Sequence, residues 1–190
     1  MATSRLLFKN CRLSYAKLAK PDPETGKYSV TLLIPKNEEN KKKIMLGVQE
    51  AAAAGADRFG SKFPTKPRSS VHDGDGQRAD GNDFGDECKG CYVVTASTKR
   101  APQFLDSHKK HVEDPIEIKE EFYSGCYAHV SATFFPYDTG TNKGVGLALN
   151  NLMKARDGER LGGAFASADE DFADIEADED EDEDEFADLL

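Results

Sequence analysis

No stretch of these 190 residues approaches the ~18 consecutive apolar positions that a membrane span requires. The first dozen residues carry neither a hydrophobic signal core nor a cleavage site, so a cytoplasmic protein with no membrane partner is expected. Cysteine is scarce as well: Cys11, Cys88, Cys91 and Cys126 are too few and too scattered to staple a secreted disulfide scaffold, and reduced thiols follow. No internal repeat is visible. The sharpest deficit lies at the end of the chain, where the last 22 residues, DEDFADIEADEDEDEDEFADLL, contain no Lys or Arg.

What is present there is charge of one sign. The run holds 14 of the 35 carboxylates, while all 25 Lys and Arg precede Asp169, so residues 1–168 carry about +4 and the pI near 4.9 describes neither part. A run this acidic repels itself and has too little apolar surface to offset the entropy of ordering, so it is expected to be disordered when free. A solubility tail is the plainer reading. Phe172, Ile175 and Phe186 interrupt the acids, however, and Leu189 and Leu190 close the chain, which a solubiliser does not need. An acidic strand with spaced aromatics resembles single-stranded nucleic acid.

Without the tail, roughly 160 residues remain, enough for one domain with a real core. Residues 6–15 alternate loosely, with Leu7, Cys11, Leu13 and Tyr15 on one face, and read as a first strand. Turn formers at Pro21-Asp-Pro-Glu-Thr-Gly26 lead into a second strand, in which Tyr28, Val30, Leu32 and Ile34 share a face. Asn37 then suits a helix cap, and Ile44, Val48, Ala51 and Ala52 recur at helical spacing, so one helix is expected over roughly 38–57.

Residues 59–90 are rich in Gly, Pro and cations and read as a long loop. Their carboxylates suggest a calcium loop, but a loop begun at Asp73 meets Arg78 where glycine is needed, and one begun at Asp80 meets Cys91 where a bidentate Glu belongs. Residues 91–99 are β-rich, and Arg100, Pro102 and Phe104 follow in a loop. After 116–122 and a bend at Tyr123-Ser-Gly125 comes the most informative strand, 126–137. One face, Cys126, Ala128, Val130, Ala132 and Phe134, fits a core. The other carries Tyr127, His129, Ser131, Thr133, Phe135 and Tyr137, more aromatic than a solvated face requires. Either those rings form a stacking platform, or a loop or the helix covers them. A turn at 137–144, a short strand over 145–149, a helical turn over 150–156 and a glycine-containing linker complete the domain.

Five or six short strands, one helix and long polar loops suggest a mainly β, OB-like five-stranded barrel. The expected division is a domain over 1–160, a flexible linker over 161–168 and a disordered acidic tail over 169–190. The run Lys27-Tyr-Ser-Val-Thr-Leu-Leu-Ile-Pro35, the loop His72-Asp-Gly-Asp75, Arg100-Ala-Pro102, Phe122-Tyr-Ser-Gly125, and Gly144-Val-Gly with the Asn150-Asn pair resemble a tailed-phage family of single-stranded DNA-binding proteins. That family, long catalogued as a domain of unknown function, has an OB fold and an acidic C-terminal tail. Its tails end in an aromatic residue, whereas here Phe186 is followed by Ala-Asp-Leu-Leu.

The resemblance implies sequence-independent capture of single-stranded DNA in phage replication and recombination, without catalysis or a cofactor. Cations would follow the phosphates and rings would stack on bases. The expected platform is Tyr127, Phe135 and Tyr137 with Lys27 across the sheet, flanked by Phe63, Lys66, Arg68, Lys99, Arg100, Phe104 and Lys143. Phe59 and Phe122 are left to the core. The tail, tethered close by, would compete with DNA. Through Phe172, Phe186, Leu189 and Leu190 it would also recruit a phage or host polymerase, helicase or nuclease.

Three alternatives stand beside this reading. Cys88-Lys-Gly-Cys91 with His108-Lys-Lys-His111 has the atoms for tetrahedral zinc, though the His pair is closer than usual. Asp73, Asp75, Asp80 and Asp83 could hold the metals of a nuclease, though a flexible loop is a poor place for ligands. A DNA-mimicking inhibitor would use the acidic tail but leaves the basic body unexplained.

Overall fold

Alternation of apolar and polar side chains sets the strands of this fold, which was obtained as a computed structural model and describes residues 3–161 together with Ile175. The tail positions Phe172, Phe186, Leu189 and Leu190, and the linker beyond residue 161, lie outside the described residues. The strands are β1 (Arg5–Lys17), β2 (Tyr28–Pro35), β3 (Arg68–Ser69), β4 (His72–Asp73), β5 (Cys91–Thr98), β6 (Gln103–Leu105), β7 (His111–Val112), β8 (Tyr127–Asp138) and β9 (Lys143–Arg156), with helices α1 (Glu38–Phe59) and α2 (Pro115–Glu121).

Five strands close on themselves. β1 pairs antiparallel with β2 and β8, β2 with β5 and β8 with β9, and a parallel pairing of Ala96 with Leu147 and Ser97 with Ala148 joins β5 to β9. The result is the expected OB-like barrel. Its interior takes the inward side chains of every wall: Phe8 and Leu13 from β1, Val30, Leu32 and Ile34 from β2, Val94 from β5, Val130 and Phe134 from β8, Leu147 and Leu152 from β9, all buried. Helix α1 begins where the Asn37 side chain accepts from Asn40 N at 2.7 Å. The Asn40 side chain in turn donates to Pro35 O at 2.9 Å, fixing the helix to the end of β2. Its buried stripe, Ile44, Gly47, Ala51 and Gly55, repeats every three or four residues and packs against β8.

The structure departs from the sequence reading at four places. In β1 the expected Cys11 and Leu13 are buried, but they are joined by Leu6 and Phe8, while Leu7 and Tyr15 are exposed. The cause is a pair of irregularities, with Asn10 at φ 54° and Tyr15 at φ 46°, that reset the alternation. A second helix, beyond the one expected, covers Pro115–Glu121, capped by the Asp114 carboxylate accepting from Ile116 N and begun by Pro115. Residues 150–156 continue β9 as strand: the ladder to β8 slips between Ser131 and Ala132, and the Asn150 side chain donates to Thr133 Oγ1 at 2.9 Å. Phe104 sits in a strand, β6, paired parallel with β9.

Candidate nucleic-acid interface

β8 alternates without interruption, so Tyr127, Phe135 and Tyr137 all leave the barrel on its outer side. They do not form one platform. Phe135 and Tyr137 are neighbours, with ring centroids 6.4 Å apart. Tyr127 starts the strand, ~33 Å from Tyr137 at the usual rise per residue. There the Arg156 guanidinium lies 3.9 Å from its ring centroid and that of Arg12 lies 5.7 Å away. Arg12 also donates to Gly125 O and Glu159 O, so this corner ties β1 to the segment following β9. Tyr127 is thus already faced by cations of its own chain.

The Phe135–Tyr137 corner is built on glycine. Phe135 pairs across the ladder with Gly146, and Tyr137 with Gly144. A Cβ at Gly146 would meet Phe135 Cζ at 2.8 Å, and one at Gly144 would meet the Tyr137 hydroxyl at 2.8 Å. The absent side chains let both rings lie over the neighbouring strand, while Phe135 keeps 38% of its surface exposed. The alternating glycines of Gly144-Val-Gly146 were the signal for this arrangement, although sequence reading did not assign them to the site.

Cations gather at the same corner. Arg68, exposed in β3, pairs with Gly144, and exposed Lys66 lies two residues before it. Lys143 starts β9, where its ammonium donates to Lys62 O at 3.1 Å and lies 3.9 Å from Asp138. A second group forms at the far end of the β2–β5 pair. The register that pairs Tyr28 with Thr98 brings exposed Lys27 and Lys99 to one end, and Arg100 is held beside them by a hydrogen bond from its N–H to Thr98 Oγ1 at 3.1 Å. Ser97 pairs with Ala148, four residues or ~13 Å along β9 from Gly144, so the parallel β5–β9 seam links the two groups.

Two expected stacking residues are core residues instead. Phe63 is 4% exposed because its ring fills a notch over Gly55 of α1 and stacks on Phe59 at 5.6 Å. Phe104 is 3% exposed, packed on Phe122 at 4.9 Å. Neither ring is exposed as an open stacking platform requires.

Among the described residues no three His, Cys, Asp or Glu side chains are grouped to hold a metal ion. Cys88 is buried while His108 and His111 are exposed around the β6–β7 turn. The Asp73 and Asp75 carboxylates both accept from the Lys36 ammonium, so two of the four acids suggested for a metal are already paired with a cation.

A family profile described as that of the ssDNA-binding protein of Enterobacter phage Enc34 matches residues 4–186. A solved structure of the single-stranded DNA-binding protein from bacteriophage Enc34 is 28% identical, with 88% of this chain and 89% of that one covered and a TM-score of 0.70. Its complex with ssDNA is 29% identical over 83% of this chain and 89% of that one, at a TM-score of 0.69. "Putative protein p50" of Acyrthosiphon pisum secondary endosymbiont phage 1 is 26% identical over 90% of this chain and 94% of its own length. With almost the whole sequence matched and the same barrel present, the chain belongs to the family of the Enterobacter phage Enc34 ssDNA-binding protein.

Proposed function

We propose that this protein captures single-stranded DNA without reading its sequence, and serves phage replication and recombination in the cytoplasm of the bacterial host. The observation that carries the reading is the Phe135–Tyr137 corner, where two outward rings lie beside Arg68 and Lys143. Rings that stack on any base and cations that follow any phosphate give affinity without a hydrogen-bond code. The solved complex of the Enc34 protein with ssDNA supports the choice of ligand. Lys27, Lys66, Lys99 and Arg100 extend the phosphate track, and Tyr127 with its two guanidiniums would border it. The work is binding, with no bond made or broken.

The acidic run 169–190 competes with DNA for the basic body, and DNA relieves that competition. Once displaced, the tail recruits a polymerase, helicase or nuclease through Phe172, Phe186, Leu189 and Leu190. A short tether holds its end at roughly millimolar effective concentration, so a weak contact suffices at low salt. The test compares oligo-dT with duplex DNA, for the full chain and for residues 1–168, across a salt series. Preference for the single strand in both, with tighter binding by the truncation at low salt, is expected. Equal affinity for single strand and duplex in both would overturn the central claim, and equal affinity of the two proteins would remove the tail from it.

A further inference from the structure

A cleft of about 360 Å³ lies between the β1–β2 loop, the start of β2, the β6–β7 pair and α2, lined among others by Tyr28, Pro102, Gln103, Phe104, His111 and Ile118. That is the small end of the range in which proteins hold organic ligands, room for one base and its sugar but not for a stack. Its back wall is rigid, since Phe104 and Ile118 belong to the core and Phe104 is packed on Phe122. Gln103 and His111, both exposed, place polar groups at its mouth.

The charge around it is divided between two sides. Ala19, Tyr28, Ala101 and His111 line the cleft, and the residues next to them in the chain, Lys20, Lys27, Arg100 and Lys110, are all exposed cations; on the α2 side the lining Glu113 and the neighbouring Asp114 and Glu117 are exposed acids. An apolar slot with polar edges, rimmed by cations along its β2 and β6–β7 side, suits a flat heterocycle whose polyanionic backbone keeps to that side. We propose that this cleft takes a single unstacked nucleobase of the bound strand, while the backbone runs past Lys27 and Arg100. The proposal rests on the single-stranded DNA reading and adds to it a place where one base leaves the stack.

The test uses the full-length protein, short oligo-dT and an abasic strand of equal length, which has the phosphates and sugars but no bases. Exposed Ala101 lines the cleft, so Ala101→Trp fills it from the surface, and Gln103→Ala trims its mouth. In 15N-labelled protein the amides of Gln103 and Val112 should shift with oligo-dT and not with the abasic strand, whose phosphates still pass Arg100. Ala101→Trp should bind oligo-dT about five- to tenfold more weakly, as expected for one lost base contact, yet match the native protein on the abasic strand. Tight oligo-dT binding with still amides and an unaffected Ala101→Trp would overturn the cleft alone. The same would follow if Ala101→Trp changed only the oligomeric state, which would mark a protein interface. Failure of the native protein to prefer either strand over duplex would overturn the parent reading and this one with it.

Discussion

The ring of Phe135 lies over Gly146, so close that a Cβ on the glycine would stand 2.8 Å from Cζ and 3.0 Å from Cε1. The ring can rest there only because the glycine has no side chain. Gly146→Ala should therefore lift the ring and weaken oligo-dT binding about as much as Phe135→Ala does, roughly 1 to 3 kcal/mol. Melting temperature should move little, because the atom that must yield is the far end of an exposed side chain. Fluorescence anisotropy with a thermal melt checks this, and native affinity in both variants would take Phe135 off the platform.

Phe104 and Tyr137 should separate stability from binding. Phe104 is buried against Phe122, so Phe104→Ala should cost about 3 to 5 kcal/mol of unfolding free energy, with binding per folded molecule falling only if the neighbouring cleft collapses. Tyr137→Ala should weaken binding with little loss of fold. Denaturant melts and titrations on the same two proteins would expose a reversal of these roles.

Lys36 joins the end of β2 to the 72–75 loop through Asp73 and Asp75, the latter at 2.6 Å. Its hydrogen bonds hold both carboxyls below the usual range, helped at Asp73 by the Asp75 N–H and at Asp75 by the Gly90 N–H. The same bonds, to Asp73 first, raise the lysine. A lowered carboxyl contributes stability that is present above its unfolded value near ~4 and is lost as pH falls through the folded value; the raised lysine loses its share only as pH climbs above ~10.4. The melting-temperature gap between native protein and Lys36→Met should stay level between about pH 5 and 9 and narrow below about 4. A gap unchanged at pH 3 would remove the clamp from the account.

The thiols should be quiet. Burial pushes Cys11 up to about 12 and Cys126 up to about 11, so almost no thiolate exists on either at pH 8. Half-buried Cys91 should react first with an aromatic disulfide reagent, and Cys11 and Cys126 only on unfolding. Mass spectrometry of the labelled protein reads the order, and early labelling of Cys11 would contradict its burial.

Much of the fold was legible because it is local. The alternation of β2 and β8 and the Asn37 cap of α1 follow from side chains a few positions apart, and the charge segregation before Asp169 is a matter of composition. α2 also carried its signals, Asp114 and Pro115, but its seven residues are too few for a helical period to outweigh a run that reads equally well as strand. Alternation marks β9 only as far as Leu149, because the slip in its ladder breaks the period at Asn150 while the pairing continues.

Alternation and composition along the chain show that β2 and β8 have an apolar face and that a basic body precedes an acidic run. Which rings meet solvent is set by the packing of elements distant in the chain. Phe63 and Phe135 both follow polar or aromatic neighbours in the chain, yet one is buried in the notch at Gly55 and the other lies open on Gly146. Exposure depends on what stands across in space, and the parallel β5–β9 seam joins residues about fifty positions apart, a pairing set by the cooperative closing of the barrel.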